Sequence, residues 1–482
     1  MKVLLVEPNY EGYALMPTMS LAILKGFINQ KTKHNAKIVD LVFHKKNWQE
    51  YLINQIRTEK PDLIGISVLS FNYLQAVEIS KLIKKNFDIK ILAGGVHAIL
   101  APEELINNDE IDIICTGEGE EVIKDLLDSG LKCKNVKGIW YKNEGKIIKN
   151  SSKKLRDNLD ELPFPEWDDF EMEKYFLINN FHLPIMASRG CPYQCTYCSN
   201  HALKKRLAGK YVRFRSVDNV MKEIELRIKQ YHSKGLKFLF FYDDTFIMYK
   251  DFVKEFCKKF KEKGFDKLVK WNVNVRANLV DEEVIKSMKD AGCYEVRMGV
   301  EAGNDYIRNV LYKRNMTKEQ IFNAVKIIKD NGLQLRVQFI IGAPYENKEK
   351  IEESLNMAKK INPDYALFPI LVPLPSTEIK EVCEKEGLIE KNKFKNSHEM
   401  FTNPVVKTKY LSNKEIKKIV NKIRIYQMRQ YITEGLKLRG PLFIYDSLVF
   451  LIYYKRKYDL EIDHAFRFTI NKYKLKEKKL LD

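Results

Sequence analysis

The feature of this chain that most restricts its fold is an alternation, run through twice, of short apolar stretches with amphipathic helical patterns. In the first pass the apolar stretches are Lys2 to Val6, Lys37 to Val42, Leu63 to Val68, Ile89 to Ala93 and Ile111 to Cys115. Strands separated by helices of this length are expected to pair in parallel, with the connecting helices covering both faces of the sheet. Residues 1–135 are therefore expected to form one doubly wound, Rossmann-like α/β domain with its ligand at the carboxyl ends of the strands. The second pass, over residues 183–385, runs through Pro184 to Ser188, Phe238 to Tyr242, Lys270 to Val275, Tyr294 to Gly299, Leu335 to Ile341 and Tyr365 to Val372. Six such strands, each followed by a helical pattern, predict a partial (β/α)6 barrel with its chemistry at the strands' carboxyl ends. Between the passes, residues 136–182 hold a Lys-rich, hairpin-like stretch and then Pro163-Phe164-Pro165, which suits an extended linker. Residues 386–482 read as a basic, mostly helical C-terminal region.

The chain has 482 residues, 45% of them hydrophobic, which is enough to bury a core in each part and excludes wholesale disorder. Its first residues, MKVLLVEPNY, lack a secretory pattern, and no uninterrupted apolar run approaches the roughly 18 residues of a spanning helix. A cytoplasmic location is expected. The net charge is +19, and residues 401–482 contribute 19 basic against 8 acidic side chains. Such a tail suits an acidic partner or surface, but no nucleic-acid module accompanies it, so nucleic acid is not an expected partner. Within the tail, Pro441 to Tyr454 (PLFIYDSLVFLIYY) would span roughly 21 Å as a helix, too short to cross a bilayer. It reads either as a helix packed on the barrel or as an interfacial element making peripheral membrane contact, which would suit a lipid-like substrate.

Eight cysteines are too few for a disulfide scaffold, and three of them, Cys191, Cys195 and Cys198, share one short loop. The loop follows the first barrel strand, Met186-Ala187-Ser188, and the turn Arg189-Gly190. Soft thiolates at this spacing select iron–sulfur or zinc. Structural zinc wants a fourth protein ligand, which is missing nearby, whereas a cluster held by three thiolates leaves one iron open. The open cluster is the favoured reading. Cys115, Cys133, Cys257, Cys293 and Cys383 are scattered and read as small packed residues. Charged groups end the later barrel strands: Asp243 and Asp244, then Arg276, then Glu301, with Arg314 beyond. Either aspartate could instead cap a helix, and Arg314 could be a solvated helix residue.

From Arg189-Gly190-Cys191-Pro192 through Cys198, the chain resembles the radical S-adenosylmethionine enzymes. The resemblance implies one 4Fe–4S cluster whose open iron chelates S-adenosylmethionine, an external electron donor, and a 5'-deoxyadenosyl radical that takes hydrogen from an unactivated position. It also implies that Tyr197 packs near the adenine, that Asp243 or Asp244 receives the methionine ammonium, and that Glu301 contacts ribose or methionine. Arg276 also ends a barrel strand in this cofactor region, and Arg314 is a candidate carboxylate partner. Ile340-Ile341-Gly342-Ala343-Pro344 resembles the adenine-contacting end of the fifth strand, and Ser376 stands where related enzymes carry the glycine of a Pro-Gly-Thr turn.

The first 135 residues resemble the cobalamin-binding domain that precedes the barrel in a large subgroup of those enzymes. The matching pieces are Glu7-Pro8-Asn9, Pro17 to Ala22, Gly65-Ile66-Ser67, Gly94-Gly95-Val96-His97 and Thr116-Gly117-Glu118-Gly119-Glu120. Glycines after strands let backbone approach a flat ligand, and Ser67 or Ser70 can hydrogen-bond its nucleotide tail. His97 is expected to be a loop or corrin-edge contact rather than an axial ligand. Asp40-Leu-Val-Phe-His44 has neither the spacing nor the glycine of the motif that supplies a cobalt-binding histidine, so His44 is expected at the surface. The function implied is methyl transfer to an unactivated carbon of a small molecule, with ring formation, rearrangement or oxidation as the enzymatic alternative. A cobalamin-sensing or scaffold protein would leave the cysteine loop unexplained.

Overall fold

The structure, a computed structural model, describes residues 1–11, 16–389 and 403–439. The first apolar runs form five parallel strands: β1 (Lys2–Glu7), β2 (Asn35–Asp40), β3 (Leu63–Ser67), β4 (Lys90–Gly94) and β5 (Ile113–Cys115). Aliphatic residues buried on both faces, Val3 to Val6 among them, are what a parallel sheet covered on both sides requires. The order β2-β1-β3-β4-β5 reverses at β1, so a crevice opens above the carboxyl ends of β1 and β3.

The Lys-rich stretch forms β6 (Ile139–Asn143) and β7 (Lys146–Lys149), an antiparallel hairpin that pairs with β5. The sheet therefore continues past residue 135, where the sequence alone placed its end, because pairing to a distant strand leaves no local mark. The rest of the expected linker is packed as well. Trp167, Tyr175 and Phe176 are fully buried in one apolar core that joins Leu21 and Ile28 to Leu183 and Val220 of the barrel. Polar bonds fasten the same segment: Lys25 pairs with Asp168 at 2.9 Å and Asp169 at 2.6 Å, and Asn29 Nδ2 donates to Glu166 at 2.8 Å.

The second set of runs forms β8 (His182–Ile185), a short antiparallel pair β9 (Ser188–Arg189) and β10 (Arg213–Phe214), then β11 (Phe238–Phe241), β12 (Lys270–Val275), β13 (Cys293–Glu301), β14 (Gln334–Phe339) and β15 (Tyr365–Leu367). Six of them make a parallel sheet, β8-β11-β12-β13-β14-β15, curved into a partial barrel. Strand alternation sends Trp271, Val273 and Val275 toward the outer helices, leaving Asn272, Asn274 and Arg276 for the lumen. The C-terminal helix Asn413–Arg439 lays Ile416, Val420 and Ile423 against Ile341, Ile351 and Ile370 of the barrel. Pro441 to Tyr454 lies outside the described residues. Among those described, no helix is long and apolar enough to cross a membrane.

Candidate active site

Gly190 turns the chain out of β9 with φ +85°, and a Cβ there would collide with the Tyr211 carbonyl, so only glycine fits at the entrance to the cysteine loop. The loop is pinned from behind by one threonine. Thr196 Oγ1 donates to Leu311 O at 2.6 Å, and Thr196 O accepts Ile379 N at 3.0 Å. Cys198 then stands immediately before the helix Ser199–Arg206, in extended conformation. Cys195 is buried, and Cys191 and Cys198 are partly so. Burial pushes the Cys198 thiol up to about 12 and also raises Cys191, with Asp244 and the neighbouring thiols adding to both. Behind the loop, Arg314 Nη1 lies 3.6 Å and Arg276 Nη1 3.8 Å from Cys195 Sγ. Three thiols on one loop, with N–H donors aimed at sulfur, form a donor set suited to an anionic iron–sulfur cluster. Among the described residues no group of His, Cys, Asp and Glu gathers around one point as a single metal ion requires, whereas a cubane engages each thiolate through a different iron.

The charged strand ends meet around this loop. Glu301 closes β13 at a register shift with φ +70°, a left-handed conformation that costs a glutamate about 1–3 kcal/mol and is held by its surroundings. Burial raises its pKa, opposed by Arg314, by a hydrogen bond from Tyr197 and by Arg276. Arg314 is buried rather than solvated, donates to Gly299 O at 2.5 Å and keeps a buried Nε with no partner among the described residues. Arg276 stacks on Tyr193 at 3.8 Å and bonds Asn278 at 2.7 Å. The Tyr197 ring meets Tyr312 edge-on at 4.9 Å.

The two aspartates separate. Asp243 is buried and accepts from Ala187 N at 3.0 Å and from Ser188 Oγ, so it ties the turn after β11 to the segment that leads from β8 into β9, and burial lifts its pKa to about 6. Asp244 accepts Asn200 Nδ2 at 2.8 Å and faces the cysteine loop. Gly342, with φ +91°, donates its N–H to Glu346 at 2.6 Å. Glu346, which no sequence motif marked, is fully buried, and burial lifts its pKa to about 7. Ser376 adopts φ +59°, the conformation for which relatives use glycine, and its hydroxyl donates to Leu100 O at 2.6 Å while accepting Arg206 Nη2 at 2.8 Å.

Above the carboxyl ends of β1, β3, β4 and β5 lies a cavity of about 590 Å³ between the two domains. Ser67, Gly94, Gly95, Gly117 and Glu118 line it from the N-terminal side, and Met186, Arg189 and Tyr242 close it from the barrel mouth. At Gly95 φ is +100° and a Cβ would stand 2.7 Å from Val68 O, so the wall is bare backbone by necessity. An apolar, glycine-walled cavity of this size fits the face of a large flat cofactor. Pro8, Ser70 and His97 are not part of its lining. The turn at Gly95 carries His97 past the rim, where Nδ1 lies 3.1 Å from Ser70 Oγ and the ring packs on Tyr73 at 4.7 Å. Burial lowers the pKa of His97 to about 4, so it is neutral at physiological pH. His44 stacks on Tyr51 at 3.6 Å, away from this lining.

Glu118 faces the cavity with its carboxylate engaged across the domain boundary. Arg213 bonds it through two nitrogens at 2.9 and 2.6 Å, and Arg189 Nη1 lies 3.0 Å away. Glu120 takes the other end of Arg189 at 2.6 Å. The Thr116 to Glu120 turn is thereby bolted to the strand that leads into the cysteines. The sequence did not reveal these arginines as its partners, although Arg189 stands two residues before Cys191.

Residues 185–358 match the family model of the radical SAM superfamily, and residues 11–127 match that of the B12 binding domain. An uncharacterised methyltransferase of Pyrococcus horikoshii is 31% identical over 88% of this chain and 92% of its own length. An anaerobic magnesium-protoporphyrin IX monomethyl ester cyclase of Rubrivivax gelatinosus is 29% identical, over 86% of this chain and 75% of its own. In fold, the chain is similar to the cobalamin-dependent S-adenosylmethionine radical enzyme OxsB, with a TM-score of 0.71 at 18% identity over 99% of this chain and 79% of that one. The radical methyltransferase TsrM of Kitasatospora setae gives a TM-score of 0.67 at 17% identity, over 80% and 76%. With both domains matched in order and nearly the full length shared with a relative, the chain belongs to the cobalamin-binding radical S-adenosylmethionine enzymes, whose cofactors are a 4Fe–4S cluster, S-adenosylmethionine and cobalamin.

Proposed function

We propose that this enzyme transfers a methyl group to an unactivated carbon of a small molecule, holding its cluster on Cys191, Cys195 and Cys198 and cobalamin in the interdomain cavity. When bound, the cofactors supply a 5'-deoxyadenosyl radical and a methyl group carried by cobalt. The chain's own residues bind, orient and exclude water. Asp244 receives the methionine ammonium, since the Asp243 oxygens are engaged by Ala187 and Ser188. Arg314, with an unpartnered Nε, faces the methionine carboxylate, and Glu301 the ribose. Tyr197 and the backbone at Gly342 flank the adenine, while Arg276 backs Cys195. Ser67, Gly94, Gly95 and Gly117 wall the corrin, and Met186 and Tyr242 face it from the barrel mouth.

The observation that carries this reading is the cavity of about 590 Å³ lined by both domains, directly beside the strand that enters the cysteine loop. Two cofactors that react in sequence on one substrate need such a shared chamber. The test is anaerobic reconstitution with an external electron donor, followed by iron and cobalt quantification and product mass. A product heavier by one CH2 unit supports methyl transfer; iron loading without any cobalamin overturns it. The similarity to a cyclase supports a second reading, ring formation or oxidation, which would give a product that loses hydrogen or gains oxygen instead.

A further inference from the structure

The barrel lumen below the cysteine loop carries charge that no cofactor role uses. Alternation turns Asn272 of β12, Glu295 and Arg297 of β13 and Arg336 of β14 to the interior, while Trp271, Val296 and Val337 join the apolar layer under the helices. Arg297 and Arg336 are register partners on adjacent strands. Both bond one carboxylate: Glu295 accepts Arg297 Nε at 2.8 Å and Arg336 Nη2 at 3.0 Å. Burial alone would raise the pKa of Glu295, but the two guanidiniums hold it at about 2, so it is ionised at every working pH. Two permanent cations thus share one anion, and the surplus positive charge favours an anion that enters the lumen.

The arginines are also presented for binding. Arg297 lies over the Phe240 ring at 4.1 Å and Arg336 over Tyr365 at 4.8 Å, which fixes both guanidinium planes. Arg297 uses Nε on Glu295, so its two Nη groups are left without a hydrogen-bond partner among the described residues, and Arg336 has a buried Nε in the same state. Their side chains stay 19% and 21% exposed. The Phe240 ring that carries Arg297 meets Tyr242, which lines the interdomain cavity, edge-on at 4.9 Å. Arg297 is thus joined to the barrel wall of the cavity through the Phe240 ring, with Arg336 beside it on the next strand.

We propose that Arg297 and Arg336 receive the anionic group of the substrate, a carboxylate or a phosphate, so that the substrate is an organic acid or a phosphate ester. The inference rests on the methyl-transfer reading for the lumen being the substrate site. A forked pair of guanidiniums matches the oxygens of either anion, and no other pair of groups is needed to bind it.

Calorimetric titration of the reconstituted enzyme with inorganic phosphate and, separately, with glutarate, at ionic strength held constant with chloride, tests this. Saturable binding of at least one probe is expected, and the probe that binds tells ester from acid. Arg297→Gln and Arg336→Gln are each expected to weaken it about tenfold, and Arg297→Lys, which keeps the cation without the fork, by less. Lys258→Gln, at a side chain 75% exposed, leaves it unchanged. Absence of saturable binding in the unaltered enzyme overturns the proposal, and so does equal weakening by Lys258→Gln, which would mean general attraction to a basic protein. Should the glutamine variants fail to fold, the unaltered enzyme and Arg297→Lys still decide. Iron and cobalt content of the same samples reports on the proposed reaction independently: a chain that binds phosphate but takes no cobalamin sinks methyl transfer alone.

Discussion

Replacing Glu118 by Ala removes the only carboxylate that bonds Arg213 among the described residues, and the structure allows the effect to be sized. Arg213 is 2% exposed at its side chain and Glu118 22%, so the change strands a guanidinium in the domain interface with only the Arg156 carbonyl, at 2.7 Å, to satisfy it. Breaking a buried pair in this way costs about 3–5 kcal/mol, and the partial exposure of Glu118 points to the lower end, about 3 kcal/mol. Glu118→Gln keeps an oxygen that can accept one of the two bonds and should cost about 1–2 kcal/mol. The assay is native-state hydrogen exchange, read as the opening free energy of the amides of β9 and β10, which are the strands that carry Arg189 and Arg213. Burial would raise the pKa of Glu118, but Arg213 and Arg189 hold it below the usual carboxylate value. A depressed pKa means that the contribution is fully present above the unfolded-state value and is lost as pH falls through the folded one, so the two variants should converge with the parent in acid. A change below about 0.5 kcal/mol in Glu118→Ala at neutral pH would refute the clamp as a stabilising element.

Cys191→Ala, Cys195→Ala and Cys198→Ala should each abolish iron–sulfur absorbance and S-adenosylmethionine cleavage while shifting unfolding by no more than about 1 kcal/mol, since the loop is a site rather than a core; retained cleavage in any one would show the ligands misassigned. Gly95→Ala should destabilise the N-terminal domain by 1 kcal/mol or more, roughly, because φ is +100° and Val68 O is 2.7 Å from the new Cβ. Gly117→Ala meets nothing within 4 Å and should leave stability unchanged while weakening cobalamin uptake, measured by absorbance after gel filtration. Glu346 has a pKa raised to about 7 by burial, so the fold binds its proton more tightly than the unfolded chain does and stability should fall as pH rises from about 4.5 to 7. Glu346→Gln should flatten that part of the urea-unfolding profile, by up to about 3 kcal/mol at pH 8.

Much of this architecture was legible because period-2 and period-3.6 patterns are local. β1 through β5 and the first five barrel strands fall within two or three residues of the runs seen in the sequence, while the sixth, Tyr365–Leu367, stops five residues short of the expected Val372. The cysteine loop was legible for the same reason, with its three cysteines inside eight consecutive positions. What escaped depends on side chains meeting across long separations. Glu118 looks like a ligand contact in its Gly-Glu-Gly turn, yet its oxygens are engaged by Arg213, 95 positions away. Asp243 and Asp244 are indistinguishable as a dipeptide, and only the pleat decides which carboxylate turns back onto Ala187 and which faces the cysteines. Ser70 and His97 sit in motifs that border the cavity, but one left-handed turn at Gly95 is enough to bring them together outside it. The lumen pair Arg297 and Arg336 lies on strands whose outward neighbours are apolar, and Glu-Val-Arg at 295–297 reads as amphipathic alternation until the barrel closes around it.

The tether on Thr196 has a consequence for how the enzyme comes into being on the ribosome. All seven strands of the N-terminal sheet lie within the first 150 residues, so their pairing needs nothing made later. The cysteine loop cannot, because the groups that fasten Thr196 belong to Leu311 and Ile379, which are made long after it. At about 5–20 residues per second, more than a hundred intervening residues leave the three thiols unplaced for roughly ten seconds or longer. Cluster insertion is therefore expected late in the life of the chain, after the sixth barrel strand and the turn at Ser376 have been made, and nascent chains stopped short of Leu311 should take up no cluster.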